Sequence, residues 1–220
     1  MIVDFPCIVS VDINPLLADV EGAIALDARI EIDPGAVEEQ GPNPALAIRP
    51  YPAEWEKEFS GGGADYLIRP IKPADIVLYP DFFAKVSAGD VRLRFLAPRK
   101  GFPDEMLKRL TQLDYDRDMA FVALEQASGA LAGVGRLSCD PDRTKGEYAL
   151  LVRSDLQGHG IGWQLLQQII AYAKAEKIGR IEGIVLEENR AMLKMCREFG
   201  FTVSHQPDEP GLMLVALDLG

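Results

Sequence analysis

The residues best suited to chemistry lie in a glycine-rich turn between a predicted strand and a predicted helix. The turn reads Gln157-Gly158-His159-Gly160-Ile161-Gly162. Residues 147–152, ahead of it, are apolar and β-competent, and apolar residues recur at helical spacing after it. Such a turn leaves backbone N–H groups unpaired at the positive end of a helix dipole, where they bind phosphate oxygens. Because glycine has no side chain, a diphosphate can reach that backbone.

Three phosphate-binding motifs, and a plain glycine turn, compete to explain this segment. A nucleotide P-loop ends in Gly-Lys-Ser/Thr, whereas Trp163 follows Gly162 here. A Rossmann turn has the spacing Gly-x-Gly-x-x-Gly and an acidic residue at the end of the next strand, which residues 181–186 do not supply. The pyrophosphate loop of the GNAT acetyltransferases reads Gln/Arg-x-x-Gly-x-Gly/Ala, and the chain resembles it at Gln157, Gly160 and Gly162. The sequence therefore favours an acyl-CoA site.

A second segment extends the resemblance to the GNAT acetyltransferases. Glu188-Asn189-Arg190-Ala191-Met192, followed by Phe199-Gly200-Phe201, resembles the family's Asn-x-x-Ala/Met helix and its closing Gly-Phe pair. The resemblance covers residues 65–220, a length ordinary for one domain. It implies an α/β (α+β) GNAT fold, with a mixed, mostly antiparallel twisted sheet flanked by helices. It also implies acetyl-CoA as cosubstrate, without a metal.

The resemblance implies a cofactor site made largely of backbone. Leu150, Leu151 and Val152 would offer main-chain groups to the pantetheine arm of the cofactor. The diphosphate would lie on the glycine-rich turn, with the His159 ring facing solvent or the nucleotide edge. By family analogy Asn189 orients the cofactor arm, and its plain alternative is an N-cap of the following helix. The cofactor-binding residues on this reading are Leu150, Leu151, Val152, Gln157, Gly158, His159, Gly160, Ile161, Gly162 and Asn189.

Transfer to a lysine amine requires a base, since the amine attacks only when neutral and its ordinary pKa is about 10.4. A carboxylate in a partly dry cleft can take the proton. Glu147 is the candidate catalytic base, because it opens the strand that leads to the phosphate loop. Its position also resembles that of the catalytic glutamate in the GNAT subfamily of bacterial protein-lysine acetyltransferases. Its alternative is a strand-end glutamate in a salt bridge. Glu182, on the next strand, is a rival base for which a salt bridge is the favoured role.

The leaving thiolate has no obvious proton donor in the sequence. Many GNAT enzymes carry a tyrosine seven residues after the asparagine equivalent to Asn189, and this chain has Cys196 there. A thiol with a pKa of about 8.5 can act as an acid, but a buried cysteine more often packs as a small apolar residue. Packing is therefore the favoured role of Cys196. Protonation by water, or release of the thiolate itself, then follows.

The N-terminal residues point to a second origin. Residues 7–11 and 23–32 read as two strands, a pair that is marginal alone in water. Val11-Asp12-Ile13-Asn14-Pro15-Leu16-Leu17 resembles the last strands of the ATP-grasp domain in ADP-forming acyl-CoA synthetases. In that family the equivalents of Asp12 and Asn14 lie at a nucleotide–metal site, although without the rest of the pocket an inert remnant is favoured.

The predicted organisation is residues 1–33 as this ATP-grasp remnant, residues 34–64 as a linker, and residues 65–220 as the GNAT domain. The linker is rich in proline and glycine, for example at Gly41-Pro42-Asn43-Pro44 and Ser60-Gly61-Gly62-Gly63, and residues 53–59 are predicted as a short helix. In the GNAT region the pattern predicts five strands and four helices up to residue 198, then two closing strands. They span 66–69, 73–86, 104–113, 119–125, 131–137, 147–152, 160–177, 180–186, 189–198, 202–204 and 212–217.

An ATP-grasp tail joined to a GNAT domain resembles the bacterial protein-lysine acetyltransferases that carry an acyl-CoA-synthetase-like region. The resemblance implies transfer of an acetyl group to a lysine of another protein, typically an acyl-CoA synthetase. Three other functions stay open: acetylation of a small amine, non-catalytic acyl-CoA sensing, and a subunit of an ATP-dependent synthetase. The last is disfavoured because only the terminal piece of that machinery is present.

Composition narrows the partners and the compartment. The 220 residues are 48% hydrophobic and 26% charged, and the net charge of −11 argues against a nucleic-acid partner. No apolar run approaches a membrane span, and residues 1–10 lack the basic start of a signal peptide. Three widely spaced cysteines predict reduced thiols and a cytoplasmic protein. The open edge of the N-terminal hairpin allows pairing with a second copy as a homodimer.

Overall fold

Two compact units, Met1–Pro50 and Tyr51–Gly220, make up the polypeptide. The computed structural model describes residues 5–20, 22–37, 46, 49–99, 101–115, 117–206 and 209–220. The Gly41-Pro42-Asn43-Pro44 segment of the predicted linker lies outside these residues. The second unit begins at Tyr51, inside the linker predicted over residues 34–64, so residues 51–64 belong to this unit.

The N-terminal unit consists of short antiparallel strand pairs. Its strands are β1 (Ile8–Ile13), β2 (Leu16–Ala18), β3 (Ala23–Ala25) and β4 (Ala28–Ile32). β1 pairs with β4, and β2 pairs with β3. The strand predicted over residues 23–32 is thus two strands, since the chain leaves extended pairing at Leu26 and Asp27. Ile8 is the one buried side chain in the described residues of these four strands.

The second unit is built on an eight-stranded sheet. Its strands are β5 (Lys57–Gly61), β6 (Ala64–Pro70), β7 (Asp118–Glu125), β8 (Leu131–Cys139), β9 (Lys145–Val152), β10 (Arg180–Leu186), β11 (Thr202–His205) and β12 (Leu212–Asp218). Their order in the sheet is β11-β12-β10-β9-β8-β7-β6-β5. All neighbours are antiparallel except β9 and β10, which are parallel.

Helices cover both faces of this sheet. They are α1 (Tyr79–Ala84), α2 (Ala88–Phe95), α3 (Asp104–Thr111), α4 (Ile161–Ala175) and α5 (Arg190–Glu198), with a 3-10 turn over Pro73–Leu78 ahead of α1. Alternate residues of β7 separate the two cores: Phe121 belongs to the cluster that contains α4, and Val122 to the cluster that contains α1 and α3. The apolar stripe of α4 is therefore buried against one face of the sheet.

Three elements of the second unit differ from the sequence prediction. Residues 57–61 form the edge strand β5 rather than part of a helix over 53–59, of which only the 3-10 turn Ala53–Trp55 is present. Gly62 and Gly63, with φ of 61° and 84°, make the two-residue turn from β5 to β6, a geometry that glycine adopts without strain. The predicted helix over 73–86 begins as 3-10 and continues as α1, and α2 was not predicted.

Two features are absent from the described residues. No helix there is both long and apolar enough to cross a membrane. No group of three or more His, Cys, Asp or Glu side chains is arranged to hold a metal ion in that part of the chain.

Candidate active site

The site begins where the two parallel strands at the centre of the sheet separate. β9 and β10 pair only at Lys145–Arg180, Gly146–Ile181 and Glu147–Glu182. On its other side β9 stays paired with β8 from Gly146 to Val152. From Tyr148 onward, no strand among the described residues pairs with the edge of β9 that faces β10. Unpaired main-chain groups at a strand edge can bind an extended, amide-bearing ligand.

A cleft of about 880 Å³ follows this separation. Eleven residues were predicted to form the site, and ten of them line the cleft. They are Glu147, Leu150, Leu151, Val152, Gln157, Gly158, Gly160, Ile161, Gly162 and Asn189. The side chains of Leu150, Leu151 and Ile161 are buried in the core, so these three residues offer the cleft mainly backbone.

The glycine-rich turn presents backbone to the cleft. Gly158 and Gly160 have φ of 84° and 87°, the left-handed region in which side chains are strained, and a Cβ at either would have no neighbour within 4 Å. Gly160 is the N-cap of α4 and makes no side-chain capping bond, so the first N–H groups of α4 remain available. These observations fit a cradle for a phosphate or diphosphate group.

His159 is the predicted site residue that does not line the cleft. Its ring packs on the turn between β5 and β6, where a Cβ on Gly62 would lie 2.3 Å from the ring Cγ atom. Its carbonyl oxygen would lie 2.2 Å from a Cβ on Gly61. The two glycines leave room for the ring on the side of β5, and contact of His159 with the nucleotide edge stays a prediction.

The far wall of the cleft is formed by α5. The Asn189 side chain caps this helix by accepting a hydrogen bond from the backbone N–H of Met192 at 3.1 Å, so the plain alternative for Asn189 is present while the residue also lines the cleft. Met192 and Met195 line the cleft as well and pack against the core on their other side. Trp163, at the start of α4, packs against Phe199 with ring centroids 4.1 Å apart and the ring planes tilted by 31°.

Glu147 and Glu182 are opposite each other in the strand register but differ in their partners. The Glu182 carboxylate lies 3.2 Å from the Lys145 ammonium and 3.6 Å from the Arg180 guanidinium. Glu147 lines the cleft and has no ion pair within 4 Å among the described residues. The geometry therefore gives Glu182 the salt-bridged role and leaves Glu147 available to a ligand.

The helix that the sequence did not predict, α2, forms the remaining wall and is tied to the glycine-rich turn. Ser87 caps α2 by accepting from the N–H of Asp90 at 3.1 Å, and Asp90 lines the cleft. Burial acts to raise the pKa of the Asp90 carboxyl, but three hydrogen bonds hold that pKa below its ordinary value. Their donors are the side chains of Ser154, Ser87 and Gln157. The first residue of the predicted phosphate motif is thus held by α2.

A positively charged residue lies in the wall that α2 forms, near Glu147. Arg94 lines the cleft and also a smaller cavity of about 30 Å³ that Arg136 shares. Burial, and then the like charge of Arg136, lower the pKa of Arg94. A sequence signal for α2 did exist, since Ser87 followed three residues later by Asp90 is a capping pattern.

Comparisons with known proteins agree with this geometry. Residues 91–201 match the model of the acetyltransferase (GNAT) family, and residues 1–32 match that of the ATP-grasp domain. An acetyltransferase of Pseudomonas aeruginosa is 30% identical over 149 residues, 67% of this chain and 80% of that protein. The acetyltransferase Pat of Mycolicibacterium smegmatis is 29% identical over 139 residues, which are 63% of this chain and 41% of Pat.

Among solved structures, the GNAT domain of PAT from S. lividans superposes with a TM-score of 0.71 at 27% identity. The match covers 77% of this chain and 100% of that domain. The mixed, mostly antiparallel sheet flanked by helices that the sequence predicted is therefore confirmed.

Proposed function

The chain belongs to the GNAT acetyltransferase family, and we propose that it moves the acetyl group of acetyl-CoA to a lysine side chain of another protein. The observation that carries the proposal is the cleft itself. One end holds a glycine cradle at the start of α4, and the other holds Glu147 where β9 and β10 stop pairing. Acetyl-CoA has a diphosphate, an amide-bearing arm and a reactive thioester in the same order, so its parts would lie at the cradle, along β9 and beside Glu147.

The main chain of β9 would hold the amide-bearing arm of acetyl-CoA, and residues 157–162 would hold its diphosphate. Gly158 and Gly160 support this because each leaves open space where a side chain would stand. Bound in this way, acetyl-CoA supplies an activated acyl carbon and a thiol leaving group. The chain's own contribution is to fix the thioester beside Glu147, which replaces a bimolecular encounter by a positioned one.

Glu147 would accept the proton that the attacking amine must lose. A positioned general base contributes about 10²- to 10⁴-fold to a rate. Its candidacy is supported by its place on the cleft and by the two cations that already engage the rival Glu182. Direct attack of the amine on the thioester then needs no covalent enzyme intermediate.

A protein acceptor is supported by two similarities. One is the likeness to the acetyltransferase Pat, and the other is the ATP-grasp match at residues 1–32. A GNAT domain joined to a piece of an acyl-CoA synthetase is consistent with an acyl-CoA synthetase as the acceptor protein. The match to this chain covers 41% of the length of Pat.

The test is transfer from labelled acetyl-CoA to a purified acyl-CoA synthetase and, separately, to a panel of small amines. Wild type is compared with Glu147→Gln, and Glu182→Gln is the matched control. We expect label on a protein lysine with wild type and Glu182→Gln, and its loss with Glu147→Gln while acetyl-CoA still binds. Label on small amines alone would refute the protein acceptor. Binding of acetyl-CoA without transfer to any acceptor would favour a sensor of acyl-CoA.

A further inference from the structure

A small cavity that the proposed transfer does not use adjoins the cleft. Its volume of about 30 Å³ gives room for about two water molecules, or for a group of similar size such as a carboxylate. It is lined by residues of the sheet and of helices α1, α2 and α3. Four residues line both this cavity and the cleft, namely Arg94, Phe95, Ala149 and Leu151. The two spaces are therefore neighbours.

A buried hydroxyl without a partner belongs to this cavity. Tyr79, on α1, lines the cavity and is 2% exposed, and its hydroxyl oxygen has no hydrogen-bond partner in the described structure. A buried hydroxyl that stays unpaired is unfavourable, because it has lost its bonds to water. Burial raises the pKa of Tyr79, and the charges of Arg136 and Arg94 act in the opposite direction, which places both guanidiniums near the hydroxyl. The hydroxyl can therefore donate to a group that lies beside both guanidiniums.

The two guanidiniums are themselves incompletely paired. Arg94 has no hydrogen bond or ion pair to any described residue, and its guanidinium carbon lies 4.9 Å from the centre of the Phe95 ring. Burial, and then the like charge of Arg136, lower the pKa of Arg94. Within the described residues Arg136 has one ion pair, with Asp118 at 3.4 Å, and it reaches the Arg109 carbonyl oxygen at the same distance. An anion between Arg94 and Arg136 would offset both their repulsion and the burial of unpaired charge.

The carboxylates that act on these groups are not among the described residues that line the cavity. Glu147 acts on Arg94 without an ion pair within 4 Å. Asp75 acts on Tyr79, but its carboxylate is bound by Arg69 at 2.6 and 2.8 Å. The two cations and the hydroxyl therefore line a space that no described carboxylate of the chain fills.

The cavity is within reach of a reactant held at Glu147. Glu147, Ala149 and Leu151 alternate along β9, so they lie on the same face of the sheet. Ala149, which lines both spaces, is about 7 Å along the strand from Glu147, since each residue of a strand rises about 3.3 Å. A carboxylate joined to the reacting centre by a short carbon chain covers a distance of this order.

We propose that this cavity is a subsite for a carboxylate of a reactant, which Arg94, Arg136 and the Tyr79 hydroxyl bind. The inference rests on the proposed function, because the reactant is held by the cleft that would bind acetyl-CoA. The carboxylate belongs to the acyl group, as in succinyl-CoA, or to the acceptor, as an acidic residue beside the lysine. A planar guanidinium matches a carboxylate with two parallel hydrogen bonds, and the Tyr79 hydroxyl adds a further donor.

The first arm of the test concerns the acyl group. Titration calorimetry compares the binding of succinyl-CoA and butyryl-CoA, whose acyl chains have the same number of carbons with and without a carboxylate. If the acyl group carries the carboxylate, wild type should bind succinyl-CoA about tenfold more tightly than butyryl-CoA. Arg94→Met should lose this preference. Arg92→Met, on the same helix, is the matched control and should keep it, because the Arg92 side chain is 42% exposed and lines neither space.

The second arm concerns the acceptor and uses fluorescence anisotropy with the protein saturated by CoA. It compares labelled lysine peptides that carry glutamate or glutamine beside the lysine. If the acceptor carries the carboxylate, wild type should bind the glutamate peptides about tenfold more tightly than the glutamine peptides. Arg94→Met should lose this preference, and Arg92→Met should keep it.

A second variant, Tyr79→Phe, keeps the ring and removes only the hydroxyl. It should lower the preference found in either arm by about threefold. No preference for a carboxylate in either arm, or a preference that survives Arg94→Met, would overturn the proposal. Both arms measure binding, so they can fail while acetyl transfer stands, and a preference for a carboxylate can be found while transfer to a protein fails.

Discussion

The two edges of β9 differ in how far they pair with a neighbouring strand. The edge toward β8 is hydrogen-bonded from Gly146 to Val152. In β8, the space that a side chain would take at Gly133 or Gly135 is already occupied by neighbouring side chains. The edge toward β10 is paired at only three positions and then borders a cleft. The cleft is thus present where the pairing of β9 with β10 ends. Substitutions near the first edge should therefore cost stability, and those near the second should cost binding or catalysis.

The largest expected effect is at the start of the open edge. Glu147→Gln preserves shape and removes the base, so kcat should fall by about 10²- to 10⁴-fold. The KM for acetyl-CoA should stay near that of wild type, since the glycine-rich turn is untouched. Steady-state kinetics with a saturating acceptor measure both constants. Glu182→Gln changes the same residue type across the register, and an equal loss of kcat there would contradict the assignment of the base.

The next effect belongs to the paired edge. A Cβ on Gly135 would lie 2.8 Å from Leu150 Cδ2 and 3.0 Å from Ile169 Cδ1. Gly135→Ala should therefore lower the free energy of unfolding by about 1–3 kcal/mol through overpacking. Denaturant unfolding measures this change, and kcat per folded molecule should be unaltered. A variant of unchanged stability but impaired kcat would break the division between the two edges.

The glycine-rich turn offers a matched pair of substitutions. Gly160 and Gly129 both have positive φ, of 87° and 68°, and a Cβ at either would meet nothing within 4 Å. Gly160→Ala and Gly129→Ala should each cost about 1 kcal/mol of stability from the left-handed backbone. Only Gly160→Ala should also weaken acetyl-CoA binding, by about tenfold, because Gly129 lies in the hairpin between β7 and β8. If calorimetric titration gave the two variants equal affinities for acetyl-CoA, the glycine-rich turn would not be part of the cofactor site.

The smallest effect is expected for an exposed ion pair between α2 and the residue before Asn189. Arg92 and Glu188 form it, with side chains 42% and 55% exposed. Solvent screening limits such pairs to less than about 1 kcal/mol, so Arg92→Ala should shift the unfolding free energy within that range. Its KM for acetyl-CoA should change less than about twofold. A larger rise in KM would mean that α2 needs this pair to keep the cleft formed.

The site was predictable from sequence where it depends on local spacing. The separation of Gln157, Gly160 and Gly162 fixes a turn whose backbone geometry needs no distant residue. Asn189 likewise precedes a helix whose cap can be read from neighbouring residues. The packing of the His159 ring was not predictable in this way, because it depends on Gly61 and Gly62, which lie in a distant turn that the sequence suggested was a linker.

Other features depend on contacts that a single sequence does not encode locally. The side chains of Tyr148 and Cys196 form a hydrogen bond although the residues are 48 positions apart. Strand alternation alone assigns Tyr148 to the core. α2 was missed because Val91 is its single buried residue, which leaves little apolar periodicity. In the N-terminal unit, the exposed strands give almost no burial pattern, so one predicted strand became two.

The most direct test of the central claim is the crystal structure of the chain with acetyl-CoA. The open edge of β9 should hydrogen-bond the amides of the pantetheine arm, and residues 157–162 should hold the diphosphate. The thioester should then lie beside Glu147. A cofactor bound elsewhere, or a thioester remote from Glu147, would contradict the account.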